Sequence, residues 1–260
     1  MMKYFYSLLL ILSSLISLSG QIVNADGKGV IFSEERIVDI RMHTNGWSLS
    51  YGKGDIIKYN TIHFQSIEVG EIKHPKQDKR TFDLLSFGSN QTSNRSYIYG
   101  KQNNLFFVKY NIGRKIYYTD KAERKGAVLG ISYSGGPTLG LVKPYLLDVV
   151  TREINANGSI SRGITPLQYD GTNGDVFLDP NEIVGPSGVS RGWDRLKVQP
   201  GLHGKIAMHL DWGAFDKFIK GLDLGIMVDF FFKEVPIMVT ENNSKLFVNL
   251  YVSAHLGKRK

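Results

Sequence analysis

Leu196-Lys197-Val198-Gln199-Pro200-Gly201-Leu202-His203-Gly204-Lys205-Ile206-Ala207-Met208-His209-Leu210-Asp211-Trp212 alternates almost without a break. Its even positions Leu196, Val198, Leu202, Ile206, Met208, Leu210 and Trp212 are apolar, and its odd positions Lys197, Gln199, His203, Lys205, His209 and Asp211 are polar or charged. Successive side chains of a strand point to opposite faces, so a period of two predicts a strand with one greasy face and one wet face. An ordinary strand runs about five or six residues. A strand that crosses a bilayer needs about nine to eleven, with an apolar outer face and an inner face free to be polar. This stretch has the length and the pattern of the second kind.

The pattern recurs. Leu222, Leu224, Ile226, Val228, Phe230 and Phe232 alternate with Asp223, Gly225, Asp229 and Lys233, and Leu246, Val248, Leu250, Val252, Ala254 and Leu256 alternate with Asn249, Tyr251, Ser253 and His255. Upstream, Leu129, Ile131, Tyr133, Leu139 and Leu141 alternate with Gly130, Ser132, Ser134, Thr138 and Gly140, and Phe106, Val108, Tyr110 and Ile112 oppose Lys109, Asn111 and Lys115. Shorter strands fit residues 61–72, 47–52 and 37–42, the last two joined by Thr44-Asn45-Gly46, an Asn-Gly hairpin signal. The count predicts an all-β, antiparallel transmembrane β-barrel of eight strands. Parity places long outward, extracellular loops at residues 75–104 and 148–194 and inward turns at 53–60, 120–125 and 213–220. Ser96 to Lys101 reads as a further strand or an extracellular ribbon. On this face assignment Val228→Arg is expected to be costly and Asp229→Asn much cheaper.

The start of the chain agrees with export. A basic residue, Lys3, precedes a mostly apolar run at residues 4–16 and the small residues Ser17, Ser19 and Gly20, which predicts a cleaved signal peptide over residues 1–20 and one barrel domain over 21–260. No later run has the roughly twenty apolar residues of a spanning helix. Mean hydropathy is only −0.16, as expected where lipid-facing and interior residues cancel along each strand. The chain has no Cys, which excludes disulfides, thiolate metal sites and Cys nucleophiles. It carries 32 Lys and Arg against 24 Asp and Glu, a formal net charge of +8 that falls by one if Lys3 leaves with the leader. Nucleic acid is not expected as a partner, because the charges are spread and no RNP, zinc-finger or helix-turn-helix pattern is present. Basic positions such as Lys121, Arg124 and Lys125, and the terminal Lys258-Arg259-Lys260, are expected to meet anionic lipid headgroups.

Several pieces carry a resemblance: Glu71-Ile72-Lys73-His74-Pro75-Lys76, Tyr99-Gly100-Lys101-Gln102-Asn103-Asn104-Leu105, Ser134-Gly135-Gly136-Pro137, Leu139-Gly140-Leu141-Val142-Lys143-Pro144-Tyr145 and the Gly-Lys-Arg-Lys ending. In this order the chain resembles small outer-membrane β-barrel proteins of Bacteroidota-type bacteria. The resemblance implies architecture and a location in the outer membrane of a Gram-negative cell, with outer-membrane lipid and possible subunits of an outer-membrane complex as partners. It brings no catalytic signature. The ending departs from the common final aromatic, since Leu256 is followed by Gly257 and a basic tail.

Three functional readings follow. In the first, the barrel is a non-enzymatic scaffold or accessory subunit, and Phe177, Leu178, Ile183, Val184 and Trp193 in the long loop are contact residues, because that loop is more apolar than a solvated tether requires. In the second the lumen works, as a small-solute channel or a lipid-modifying enzyme, and Lys109, Lys115, Lys197, His203, Lys205, His209, Asp223 and Asp229 face it. Ser253 and His255 share a face and could form a nucleophile-base pair, but eight strands enclose a lumen that side chains fill. In the third, the chain is a soluble, secreted ligand-binding barrel with its apolar faces inward. No catalytic residue, metal ligand or cofactor is assigned. His203 and His209 on one strand are separated by about 20 Å at the strand rise, too far to share an ion. The acidic loop Asp170-Gly171-Thr172-Asn173-Gly174-Asp175, continued by Asp179, Asn181 and Glu182, offers oxygen ligands for calcium without the EF-hand spacing.

Overall fold

The computed structural model describes residues 32–58, 60–81, 96–119, 127–154, 160–212 and 217–260. Residues 1–20, read above as a leader, and the 120–125 turn lie outside the described residues. Thirteen strands follow in order: β1 (Glu34–His43), β2 (Gly46–Lys58), β3 (Thr61–Ile72), β4 (Lys79–Thr81), β5 (Ser96–Ile98), β6 (Asn103–Tyr117), β7 (Val128–Pro144), β8 (Leu147–Ile154), β9 (Ile160–Leu167), β10 (Ile183–Pro186), β11 (Lys197–Asp211), β12 (Phe218–Val235) and β13 (Ser244–Arg259). Eight of them close into a barrel in the order β1-β13-β12-β11-β7-β6-β3-β2. Every pairing is antiparallel, and the barrel closes where β1 meets β13, from Glu35↔Arg259 to His43↔Tyr251.

The two faces of the wall are inverted relative to a water-soluble protein. On β11, Leu202, Ile206 and Met208 are exposed while His203, Lys205, His209 and Asp211 are buried. On β13, Leu246, Val248, Leu250, Val252 and Leu256 point out, and Asn249, Ser253, His255 and Arg259 point in. Trp47 at one end and Trp212 and Phe218 at the other flank this apolar belt, as aromatic girdles do at membrane interfaces. An outer surface of Leu, Ile, Val and Phe around a charged interior suits a hydrocarbon solvent, so the chain is a transmembrane barrel. The soluble ligand-binding barrel is overturned by the same observation, since its apolar faces would have to point inward.

Several boundaries differ from the sequence reading. β2 runs on to Lys58, so residues 53–58 are strand and not turn. Their charges lie where the strand end is solvated, with Lys53 Nζ 2.8 Å from Glu34 Oε1 across the β1–β2 pair. β12 likewise begins at Phe218, within the expected turn. At the first hairpin Gly46 is required by close approach: a Cβ there would lie 1.9 Å from the carbonyl oxygen of Glu71. The segment Ser96 to Lys101 is the ribbon alternative, since β5 pairs with β4 outside the barrel. The long loop is itself folded: β10-β8-β9 form a three-stranded sheet, and a single helical turn, α1 (Gly174–Phe177), joins β9 to β10.

Candidate functional site

Two parts of the molecule gather chemistry: the barrel interior and the folded cap over one of its ends. The interior is layered. Nearest the cap, Ile72, Leu105, Phe107, Val142, Phe231, Val235, Ile237, Met238 and Phe247 form an apolar plug. Below it, Glu68 is ion-paired with Arg41, whose Nη1 is 2.7 Å from Oε1, and accepts from Lys205 through Oε2. In the same layer Lys109 Nζ is 2.7 Å from Asp229 Oδ1, both side chains being 0% exposed. His203 is held between Thr138 Oγ1 at 2.9 Å and Asn111 Oδ1 at 2.8 Å.

The next layer contains Asp39, His209, Asp223 and His255. His209 Nδ1 hydrogen-bonds Asp223 Oδ1, and His255 Nδ1 hydrogen-bonds Asp39 Oδ1. His255 Nε2 is 2.9 Å from Asp223 Oδ2. Ser50 Oγ donates to Asp39 Oδ2 at 2.6 Å, and Ser132 Oγ lies 3.3 Å from Asp223 Oδ2. A cavity of about 40 Å³ adjoins this layer on the side of Asp39, Asp223 and His255, and Arg41, Lys205 and Lys115 also line it. The last layer, at the turn end, holds Glu35, Lys115, Arg259 and Asp211, with Lys115 Nζ 3.5 Å from Glu35 Oε1 and Arg259 Nη2 3.0 Å from Asp211 Oδ2. Tyr117 Oη donates to Asp211 Oδ2 at 2.9 Å.

Of the expected interior residues, Lys109, Lys115, His203, Lys205, His209, Asp223 and Asp229 are buried in these layers. Lys197 is a correction. It shares their strand parity, but the pairing of β11 with β12 begins only at Gly201, and Lys197, opposite Val142 of β7, is exposed. Arg259, expected at lipid headgroups, is buried at the turn end between Glu35 and Asp211. The expectation that Asp229→Asn is cheap is reversed as well, because the change leaves the Lys109 ammonium buried beside a neutral amide. Ser253 and His255 do not make a nucleophile-base pair, since the His255 ring nitrogens face Asp39 and Asp223.

The cap has a core of its own, formed by Tyr97, Leu147, Val149, Phe177 and Ile183, with Tyr99, Tyr145, Leu167, Tyr169, Leu178 and Val239 packed around it. Phe177, Leu178, Ile183 and Val184, expected as contact residues, are therefore corrected: Phe177 and Ile183 are fully buried and Leu178 and Val184 half-buried. Their apolar character builds the cap. Trp193 stays about half exposed, stacked on Phe106 with centroids 5.7 Å apart and with Lys143 Nζ 5.1 Å from its ring. Tyr99 Oη donates to the Leu178 carbonyl at 3.0 Å, and the backbone N–H groups of Gln102 and Val239 reach Ile237 and Gly100, so three loops are tied together. Lys101 is buried in the cap with Tyr145 as a cation–π neighbour at 5.5 Å. Burial pushes its ammonium down to about 8, opposed by Glu71 and assisted by Lys73, Lys143 and Lys79. The acidic loop uses its oxygens locally: Asp170 Oδ1 accepts from Thr172 N, Thr172 Oγ1 and Asn173 N, which lowers its carboxyl below the usual range.

No family model and no curated protein matches this chain. Solved structures with a similar fold include Ail, the attachment invasion locus protein of Yersinia pestis, in complex with the heparin analogue sucrose octasulfate (7% identity, 88% of this chain and 100% of that chain, TM-score 0.38). They also include the N-terminal β-barrel domain of Pseudomonas aeruginosa OprF (9% identity, 88% and 97%, TM-score 0.33). Neisserial surface protein A matches at 7% identity over 88% of this chain and 97% of that chain, with a TM-score of 0.39.

Proposed function

We propose that this chain is an integral outer-membrane β-barrel of a Gram-negative bacterium, and that it acts as a non-enzymatic scaffold or accessory subunit through its extracellular cap. The observation that carries this reading is the contrast between a closed interior and an elaborated outside. The interior is filled from the apolar plug at Phe107 and Phe231 down to the Lys115, Arg259 and Asp211 layer. The cap, by contrast, has its own sheet and core and still presents Ile164, Val176, Val189 and Trp193 to solvent, Val189 at 78% exposure. Long ordered loops on a rigid scaffold are where binding residues concentrate.

The test replaces residues 147–194, which carry β8, β9, α1 and β10 of the cap, by a short Gly/Ser segment. The truncated protein is expected to remain a heat-modifiable barrel in the outer membrane. A photo-crosslinker at Val189 or Ile164 of the full chain should give defined adducts with envelope components in intact cells, and one on the barrel wall at Ile206 should give only lipid. Adducts confined to the wall, or protection of a Val189→Cys thiol from an impermeant label in intact cells, would reject the cap as an outward docking surface.

A further inference from the structure

The layer of Asp39, His209, Asp223 and His255 is not used by the docking reading, and it carries an imbalance. Below the plug the described interior buries the cations Arg41, Lys109, Lys115, Lys205 and Arg259. Arg41, Lys205 and Lys109 accompany Glu68 and Asp229, and Lys115 and Arg259 accompany Glu35 and Asp211. Among the described residues, the basic groups closely paired with Asp39 and Asp223 are histidines. With neutral imidazoles this layer holds two carboxylates and no cation, while the layer above holds three cations for two carboxylates, so the described interior is one positive charge short, a deficit that lies at Asp39 and Asp223.

The geometry around Asp223 is that of a ligand set. His209 Nδ1 and His255 Nε2 converge on its two oxygens from β11 and β13, the strands on either side of β12. One ligand atom from each of the three residues lies within 4.8 Å of the others, and all three residues are buried. Ligands on a tetrahedral ion, at bonds of about 2.0–2.2 Å, stand about 3.3 Å apart, so small side-chain adjustments suffice. The other ring nitrogen of His255 hydrogen-bonds Asp39, the arrangement by which an outer carboxylate fixes the tautomer and aim of a metal-bound histidine. His255 Nε2 is buried and aimed at Asp223 Oδ2 from 2.9 Å. The adjoining cavity of about 40 Å³ has room for a water as fourth ligand.

We propose that His209, Asp223 and His255 form a binding site for one divalent transition cation of the zinc class, with Asp39 as the outer carboxylate and a water completing the shell. Imidazole nitrogens with a carboxylate favour Zn²⁺ and its neighbours over Mg²⁺ or Ca²⁺, which prefer all-oxygen sets. The ion meets Asp223 directly and Asp39 through the His255 ring, and it bridges β11, β12 and β13 inside the wall.

The test folds tag-free protein from urea into detergent micelles in the presence of Co²⁺, so that the buried site is open while the ion enters. Folding is checked by heat-modifiable migration. The expected result is one equivalent of Co²⁺ with the visible bands of a four-coordinate ion, displaced by Zn²⁺ and not by Mg²⁺. His255→Asn should abolish the bands, Asp39→Asn should weaken binding about 10- to 100-fold, and His203→Gln, in a different layer, should leave it unchanged. Folded wild-type protein without saturable Co²⁺ bands would overturn the proposal, as would full binding by folded His255→Asn. Should His255→Asn not fold, His209→Asn is read in its place, and the wild-type titration alone still decides.

Discussion

The barrel wall and the cap bury side chains by opposite rules. In the wall Glu68, Lys109, Asp229 and Arg259 are inside and Leu224, Leu250 and Ile206 are outside. In the cap Phe177, Leu147 and Ile183 are inside, and Asp170, Asp175 and Arg191 are outside. One chain satisfies both rules because it meets two solvents. Hydrocarbon lets the wall turn Leu and Val outward at no cost, so the enclosed space goes to polar groups, which must then satisfy one another. Water reverses the preference a few residues beyond the strand ends.

The sharpest way to break this comparison is to unpair a charge in the wall. Glu68→Ala leaves Arg41 and Lys205 without their shared acceptor, and a broken buried pair costs about 3–5 kcal/mol. Urea unfolding of the barrel in lipid vesicles should show a loss of that size. A loss under 1 kcal/mol would mean that water reaches the interior and screens it.

A smaller effect tests the outer face. Val228→Arg, near the middle of β12 and pointing to lipid, should cost about 2–4 kcal/mol in the same assay, whereas Val189→Arg on the cap surface should stay within about 0.5 kcal/mol. Equal costs would erase the distinction between the two solvents.

The smallest effect concerns the buried Lys101 of the cap. Its folded-state value of about 8 lies below the ordinary 10.5. Below pH 8 both states hold the proton and the full burial penalty applies. Between pH 8 and 10.5 the unfolded cap binds more protons, so cap stability rises with pH, and above 10.5 the penalty is gone. The gain should be on the order of 2 kcal/mol, under the ceiling of about 3 kcal/mol that the gap between 8 and 10.5 allows, read as hydrogen-exchange protection of cap amides corrected for intrinsic rate. Lys101→Met should remove that pH dependence, and a slope unchanged in this variant would assign it to other groups.

The wall was largely legible in the sequence because a period of two is written in every strand, and Lys205 and Asp229 could be placed inside by parity alone. Arg259 has the same odd parity as Ser253 and His255, so the strand could have been followed two residues further than its apolar partners suggested. The Asp223 cluster is not visible along any one strand, and on β11 itself His203 and His209 lie far apart. Its signal is in the β11–β12 register: one hairpin alignment sets His203 opposite Asp229 and His209 opposite Asp223 at the same time. The cap was harder. Its strands are short, and apolar residues such as Phe177 and Ile183 look the same whether they face a partner or one another. Only the fold of β8, β9 and β10 tells the two apart.

The pairing of β1 with β13 has a consequence in time. His255 and Asp39, joined across that seam, stand 216 positions apart in the chain. Contacts of such long sequence separation form late, since the chain must lose its freedom before they can be made. Until the final strand arrives Asp39 therefore lacks its histidine, and Glu35 has Lys115 but not Arg259. A chain stopped short of β13 would leave the edges of β1 and β12 open and Asp39 without its partner, so closure of the wall and neutralisation of its interior are completed by the same strand.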